Sequence, residues 1–296
     1  MKRNNRMVMC TVLAMVAPLG HYSGIGYMSV LLAAGAMLPL TVLTGDGLNR
    51  ISKVEAGAEL VWVGLALGSV IRVAGANWPG NSSELAVSLV ILALGVLTGN
   101  REKSVNVCCT LFWVMLIPLM VIGAFLIAQV EPDWLSPEPG RWSAELIAVL
   151  LFPSIVGIGE GKRGKACITV GLLAGTTAAL VQGGLEIGIA EKVKSPLYEL
   201  GRCVGNGGFE ILVSAVLTLS WYGFASMGMN AAESFGKKLK LTERQSRTGA
   251  ALIAAGAVAV SVKIRDWVLI SGCLIMWILV PMLHPEIKMK KSEKRC

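Results

Sequence analysis

The sequence is poor in charge and in histidine, and it is free of the spacings that mark metal or redox sites. Charged residues make up 16% of its 296 positions, against roughly 25% in soluble domains. That shortage leaves too few polar side chains to cover a globular surface. Only two histidines occur, His21 and His284, so a histidine-based metal site is not expected. None of the seven cysteines (Cys10, Cys108, Cys109, Cys167, Cys203, Cys273, Cys296) belongs to a C-x-x-C pair, and buried free thiols are the simpler expectation. Nucleophile elbows, phosphate loops, H-E-x-x-H and paired-carboxylate motifs are missing as well. Neither an enzyme nor a cofactor is therefore expected. The net charge of +8 sits in short loops and a C-terminal tail, without a nucleic-acid-binding motif or an aromatic platform, so no nucleic-acid partner is expected. The first apolar stretch has no small-x-small exit and runs on into Gly24 and Gly26, which speaks against a cleavable signal peptide.

What the chain has is apolar length. Hydrophobic residues reach 54% and the mean hydropathy is +0.65, more apolar surface than a core of this size hides. A bilayer core about 30 Å thick takes roughly 20 helical residues to cross, and backbone groups inside it must be satisfied within each segment. Apolar runs between charges fall at about 7–22, 26–45, 57–76, 83–99, 105–130, 143–159, 166–190, 208–235, 248–262 and 267–284. They predict an all-α membrane protein with about ten transmembrane helices.

Basic residues test that map, because cytoplasmic loops are enriched in Lys and Arg. With the N-terminus inside, twenty of the 27 Lys and Arg fall on the inner side and seven on the outer. An error of one span would exchange the sides of every later loop and blur the bias, so both termini are expected in the cytoplasm. A loop with Pro132, Pro137 and Pro139 lies between the fifth and sixth runs. It divides the single membrane domain into a first half at about 7–130 and a second at about 143–284, followed by a basic tail at 285–296 suited to anionic lipid.

Transporters built from inverted repeats bind substrate where helices break at corresponding positions of the two halves. The first run contains Pro18, Gly20, Ser23 and Gly24; the sixth contains Pro153, Ser154, Gly157 and Gly159. Proline removes a backbone donor, glycine allows unwinding, and an exposed helix N-terminus attracts a carboxylate. These eight residues are the candidate ligand contacts. Ordinary close packing of small residues, or a plain hairpin turning at 21–26, accounts for the same pattern. Among ionisable residues, Glu186 is either embedded or already at the surface near Glu191, and Glu210 is either a site residue or a helix-start charge. Glu233 lies near the end of the eighth run, Glu84 and Glu145 at interfaces, and most tryptophans near span ends, as membrane-surface anchors do.

The segment Ser195-Pro196-Leu197-Tyr198-Glu199-Leu200-Gly201-Arg202 resembles the Pro-x-Tyr-Glu-x-x-Arg element of the endospore germination permease family. These are the B-type integral membrane subunits of nutrient germinant receptors, within the amino acid/polyamine/organocation superfamily. Glu210, Trp221, Tyr222 and the Gly159-Glu160 step continue the likeness, which at residue level covers about 143–235. The first span and its loop look abbreviated beside that family. The resemblance implies a LeuT-like fold of 5+5 inverted repeats and recognition of an amino acid or similar small nutrient. It also implies assembly with A-type and C-type receptor subunits, in the bacterial cell membrane or spore inner membrane. It adds Glu160, Pro196, Tyr198, Glu199 and Arg202 to the candidates, beside Glu186 and Glu210. An amino acid permease working by alternating access, or an assembly subunit without ligand, are the competing functions.

Overall fold

The computed structural model describes residues 3–44, 47–79, 83–135, 137, 142–156, 163–205, 207–259 and 266–284. Helices α1 (Arg3–Tyr22) and α2 (Tyr27–Leu43) are joined by a turn at 23–26 that ends on Gly26 with φ 95°. That conformation costs glycine nothing sterically. Helix α3 (Lys53–Ile71) starts on a capping box, in which the Ser52 hydroxyl accepts from the Glu55 amide and the Glu55 carboxylate accepts from the Ser52 amide. Next come α4 (Glu84–Leu97) and α5 (Arg101–Ile127), the latter capped by Asn100, whose side chain accepts the Lys103 amide at 3.0 Å.

The second half opens with α6 (Ala144–Leu151), capped by the Ser143 hydroxyl accepting from the Leu146 amide at 3.1 Å. Helix α6 gives way at Phe152 to the single turn α7 (Pro153–Val156), because Pro153 offers no amide and crowds the preceding turn. Helices α8 (Arg163–Leu185) and α9 (Ile187–Ala190) are separated by Glu186, whose φ of 57° ends the first of them. There follow α10 (Pro196–Val204), α11 (Gly207–Lys238), α12 (Glu243–Ala259), α13 (Asp266–Leu274), a π-helical stretch Ile275–Leu279, and α14 (Val280–Leu283). No strand occurs among the described residues.

Among the described residues, five helical stretches are long and apolar enough to cross a membrane: Lys53–Asn77, Arg101–Ile127, Gly164–Leu185, Gly208–Lys238 and Asp266–Leu283. Shorter apolar helices run at Tyr27–Leu43, Glu84–Leu97 and Ala144–Val156. Helix α5 presents Trp113, Val114, Ile117, Met120 and Phe125 outward, a larger apolar face than water tolerates on a monomer. The chain is an all-α membrane protein.

Helix α11 is the centre of the bundle and touches α1, α3, α4, α5, α10 and α12. Alongside α3 on α11, two further pairings run α2 on α8 and α4 on α12. Other contacts come in matched sets: α3 with α12 and α4 with α11; α1 with α8 and α2 with α6; α1 with α5 and α6 with α13.

Polar contacts sort the helix ends into two groups. At one end Arg6 donates to Asn106 (3.2 Å), His284 meets Glu55 (3.2 Å), and the Lys238 ammonium donates to the carbonyls of Leu48 (3.0 Å) and Ile51 (3.2 Å). At the other, Arg72 pairs with Glu145 (2.9 Å), Lys194 with Glu84 (2.8 Å), and Tyr22 donates to the Val70 carbonyl (3.0 Å). Arg6 and His284 thus share an end.

Candidate functional site

The break after α1 opens into a cavity of about 670 Å³ at the Arg72 end, lined by His21, Tyr22, Gly24, Ser143, Glu191, Lys194 and Pro196 among others. Helix α10 closes one side of it and is held by small residues. A Cβ at Gly20 would lie 2.5 Å from Leu197 Cδ2, one at Gly24 would lie 2.6 Å from the Ala190 carbonyl oxygen and 2.8 Å from Pro196 Cγ, and Leu200 takes the space above Gly184. The close approach of α10 to α1 and α8 therefore depends on glycine at these three positions.

Below the cavity the helix core is sealed by aromatic rings. His21 lies edge-on to Trp221 (6.4 Å between centroids), Trp221 edge-on to Phe224 (6.3 Å), and Phe224 stacks on Phe152 (4.2 Å). This chain of rings leads from the cavity floor to the α6–α7 junction. Beyond it Val63, Ala66, Leu67, Val70, Ala148, Phe152, Phe224 and Trp277 surround an apolar void with no room for a water. Beside the junction the Ser154 hydroxyl is fully buried with no hydrogen-bond partner.

The predicted residues divide accordingly. Gly24 and Pro196 line the cavity, bringing a first-run glycine and the permease-like element to one place. Pro18 and Gly20 stay inside α1, which is continuous to Tyr22, so the first helix breaks later than the proline suggests. Its distortion is local: the Ala17 amide donates to the Ser220 hydroxyl of α11 at 2.7 Å. Ser23 is buried, and its hydroxyl turns back onto the Leu19 carbonyl. Pro153 and Ser154 sit at the α6–α7 junction, apart from the cavity lining. Gly157, Gly159 and Glu160 lie outside the described residues.

Of the family-like positions, Tyr198 is buried and donates to the Glu210 carboxylate in the first turn of α11. Burial, then the neighbouring Glu210 carboxylate, pushes the Tyr198 phenol up to about 12. Glu199 pairs with Arg202 at 2.8 Å, one turn along α10. Glu210 thus stands in the first turn of its helix, where a carboxylate is favoured, and accepts the Tyr198 hydroxyl. Glu186 is exposed at the end of α8.

The opposite end holds a second cavity of about 510 Å³, lined by Arg6, Asn100, Arg101, Glu102, Glu233, Lys237 and Glu243 among others. Its inner wall is a buried ion network. Arg247 donates to Glu233 (3.0 Å), to the Gly95 carbonyl (3.3 Å) and to Asn230, while Lys237 reaches Glu233 at 2.9 Å. Arg247 and Glu233 are each 1% exposed. Sequence reasoning missed Arg247, which reads as a loop charge until α12 is seen to begin at Glu243. It also missed Glu59, fully buried in α3, although a glutamate within the 57–76 run was itself a signal. Among the described residues no cluster suits a metal ion. No family model matches the chain, and no curated protein is similar to it at a meaningful level.

Proposed function

We propose that this chain is a small-nutrient-recognition subunit of the germination-permease type, built as ten spans in a LeuT-like 5+5 inverted repeat. Counting α6 and α7 as the sixth span, α8, α11 and α12 as the seventh to ninth and α13–α14 as the tenth, helix n packs on helix n+5 for the second, third and fourth. Three other sets of contacts exchange in pairs under the same rule, as an internal two-fold axis favours, while α11 on α12 has no comparable α3 on α4 contact among the described residues. The rule weakens where α6 is short. The basic residues favour the Arg6 end in the cytoplasm, so the His21 cavity opens outward.

The observation that carries the function is this outward cavity at the end of the first helix, roofed by the permease-like α10 and floored by His21. Its wall carries Lys194, an exposed cation that also pairs with Glu84, and a carboxylate, Glu191, beside the capped N-terminus of α6. That donor and acceptor set fits the carboxylate and ammonium of an amino acid. Gly24 lets Pro196 close against the cavity wall, and a shape-selective ligand would press on the His21–Trp221–Phe224–Phe152 ring chain. On this reading A-type and C-type subunits assemble with the chain and pass the signal on.

A second reading is an amino acid permease, favoured by the cavity at each end of one packed centre, as alternating access requires. Deleting the gene in a sporulating host separates the two. The receptor reading expects germination on at least one nutrient to be lost, with no amino acid uptake by vesicles containing the purified chain. Unchanged germination on every nutrient together with uptake of labelled amino acid would overturn it in favour of transport.

A further inference from the structure

Glu59 lies six residues into α3 and is 0% exposed, and neither carboxyl oxygen has a hydrogen-bond partner. Its cover comes from the last span. Gly272 of α13 lies against the Trp62 ring, where an added Cβ would collide with the indole, and Cys273, also 0% exposed, is within electrostatic reach of Glu59. Directly after this contact the helix widens into the π-helical stretch Ile275–Leu279, a geometry often found where helices shift at functional sites.

The charged groups nearby are committed elsewhere. Glu55, one turn towards the Arg6 end, faces His284 of the final turn at 3.2 Å. Lys238 of α11 donates to the carbonyls of Leu48 and Ile51, and Arg247 of α12 to Glu233, Asn230 and Gly95. None of these cations reaches the Glu59 carboxyl. An ionised carboxylate in such a place carries a desolvation penalty far above that of a neutral carboxyl group. A metal cation needs several oxygen ligands, and no set of three or more acidic, His or Cys side chains gathers here among the described residues. The one cation that suits a single isolated carboxyl is a proton.

We propose that Glu59 is a proton-binding site within the membrane, closed in this state by α13 and emptied only when the last span moves off Trp62. The step is a simple transfer: the carboxyl O–H bond breaks, the proton passes to water admitted by that movement, and a carboxylate remains. Glu55 and His284, between Glu59 and the Arg6 end, are groups able to relay it. This inference is independent of whether the chain senses or transports.

Infrared difference spectroscopy of the full chain in lipid nanodiscs at neutral pH tests it. The wild type is expected to show the carbonyl-stretch band of a protonated carboxylic acid, slow to shift in heavy water. Glu59→Gln should remove that band, and Glu55→Gln should leave it. Glu59→Asp should return it at a displaced frequency, which keeps the assignment testable if the Gln variant does not fold. Gly272→Ala, which pushes the indole aside, should speed deuterium exchange of the band severalfold. A wild type without such a band, or a band that survives Glu59→Gln, overturns the proton site. Unchanged exchange in Gly272→Ala overturns its gating by the last span.

Discussion

Glu233 and Glu59 are equally hidden, 1% and 0% exposed, on two helices that pack against each other, and the bundle treats them in opposite ways. Glu233 meets a guanidinium and an ammonium, and its guanidinium partner also donates to Asn230 and a backbone carbonyl. Neither oxygen of Glu59 has a hydrogen-bond partner. The difference teaches that burial alone does not set the state of a carboxyl group in a membrane protein; its partners do. The first carboxylate ties α11 to α12. The second is free to exchange a proton if its cover moves.

The contrast can be broken from either side. Removing the guanidinium by Arg247→Leu leaves Glu233 with Lys237 alone and should lower stability by about 3–5 kcal/mol, seen as a lower thermal unfolding midpoint in detergent. Replacing Arg247 and Glu233 together with leucine should recover most of that loss. If the double variant is no better than the single one, the ion network is not what ties the two helices.

A smaller effect is expected where α10 is seated. Gly20→Ala places a methyl group 2.5 Å from Leu197 and should cost about 1–3 kcal/mol through overpacking, again as a shift of the unfolding midpoint. Smaller still, Glu59→Leu should be neutral or stabilising, by up to about 1 kcal/mol, because it removes polar atoms that have no partner. A loss as large as that of Arg247→Leu would mean that Glu59 is paired after all.

The smallest effect concerns Tyr198. Its phenol sits at about 12 in the fold, above the roughly 10 of an exposed tyrosine, so the folded state holds this proton more tightly than the unfolded one. The associated stability is complete below about pH 10 and is lost as pH rises towards 12. Unfolding midpoints of Tyr198→Phe should therefore fall less steeply than those of the wild type over that interval.

Much of the architecture was legible because lipid imposes length and composition on every crossing segment, so apolar runs bounded by charge find the helices. Capping side chains such as Ser52, Asn100 and Ser143 mark where several begin. The site was legible only in part. Proline at 18 signals a break, yet packing against Ser220 of α11 keeps α1 helical to Tyr22, and the chain leaves the helix at 23–26 instead. Gly20 and Gly24 were singled out as unwinding residues, whereas their lack of a side chain serves to seat Leu197 and Pro196. That role depends on contacts over 170 residues apart in sequence, which no local pattern encodes. Arg247 and Asn230 likewise acquire meaning only once α11 and α12 are side by side.

On the proposed reading a free amino acid enters the cavity above His21. Thermal unfolding of the purified chain against a panel of amino acids tests it most directly, since a ligand at a hundred times its Kd stabilises the native state by about 2.7 kcal/mol. The expected result is a raised midpoint with at least one amino acid, abolished in His21→Leu while the unliganded midpoint of that variant stays near the wild type. No shift with any member of the panel, or an equal shift in His21→Leu, would contradict it.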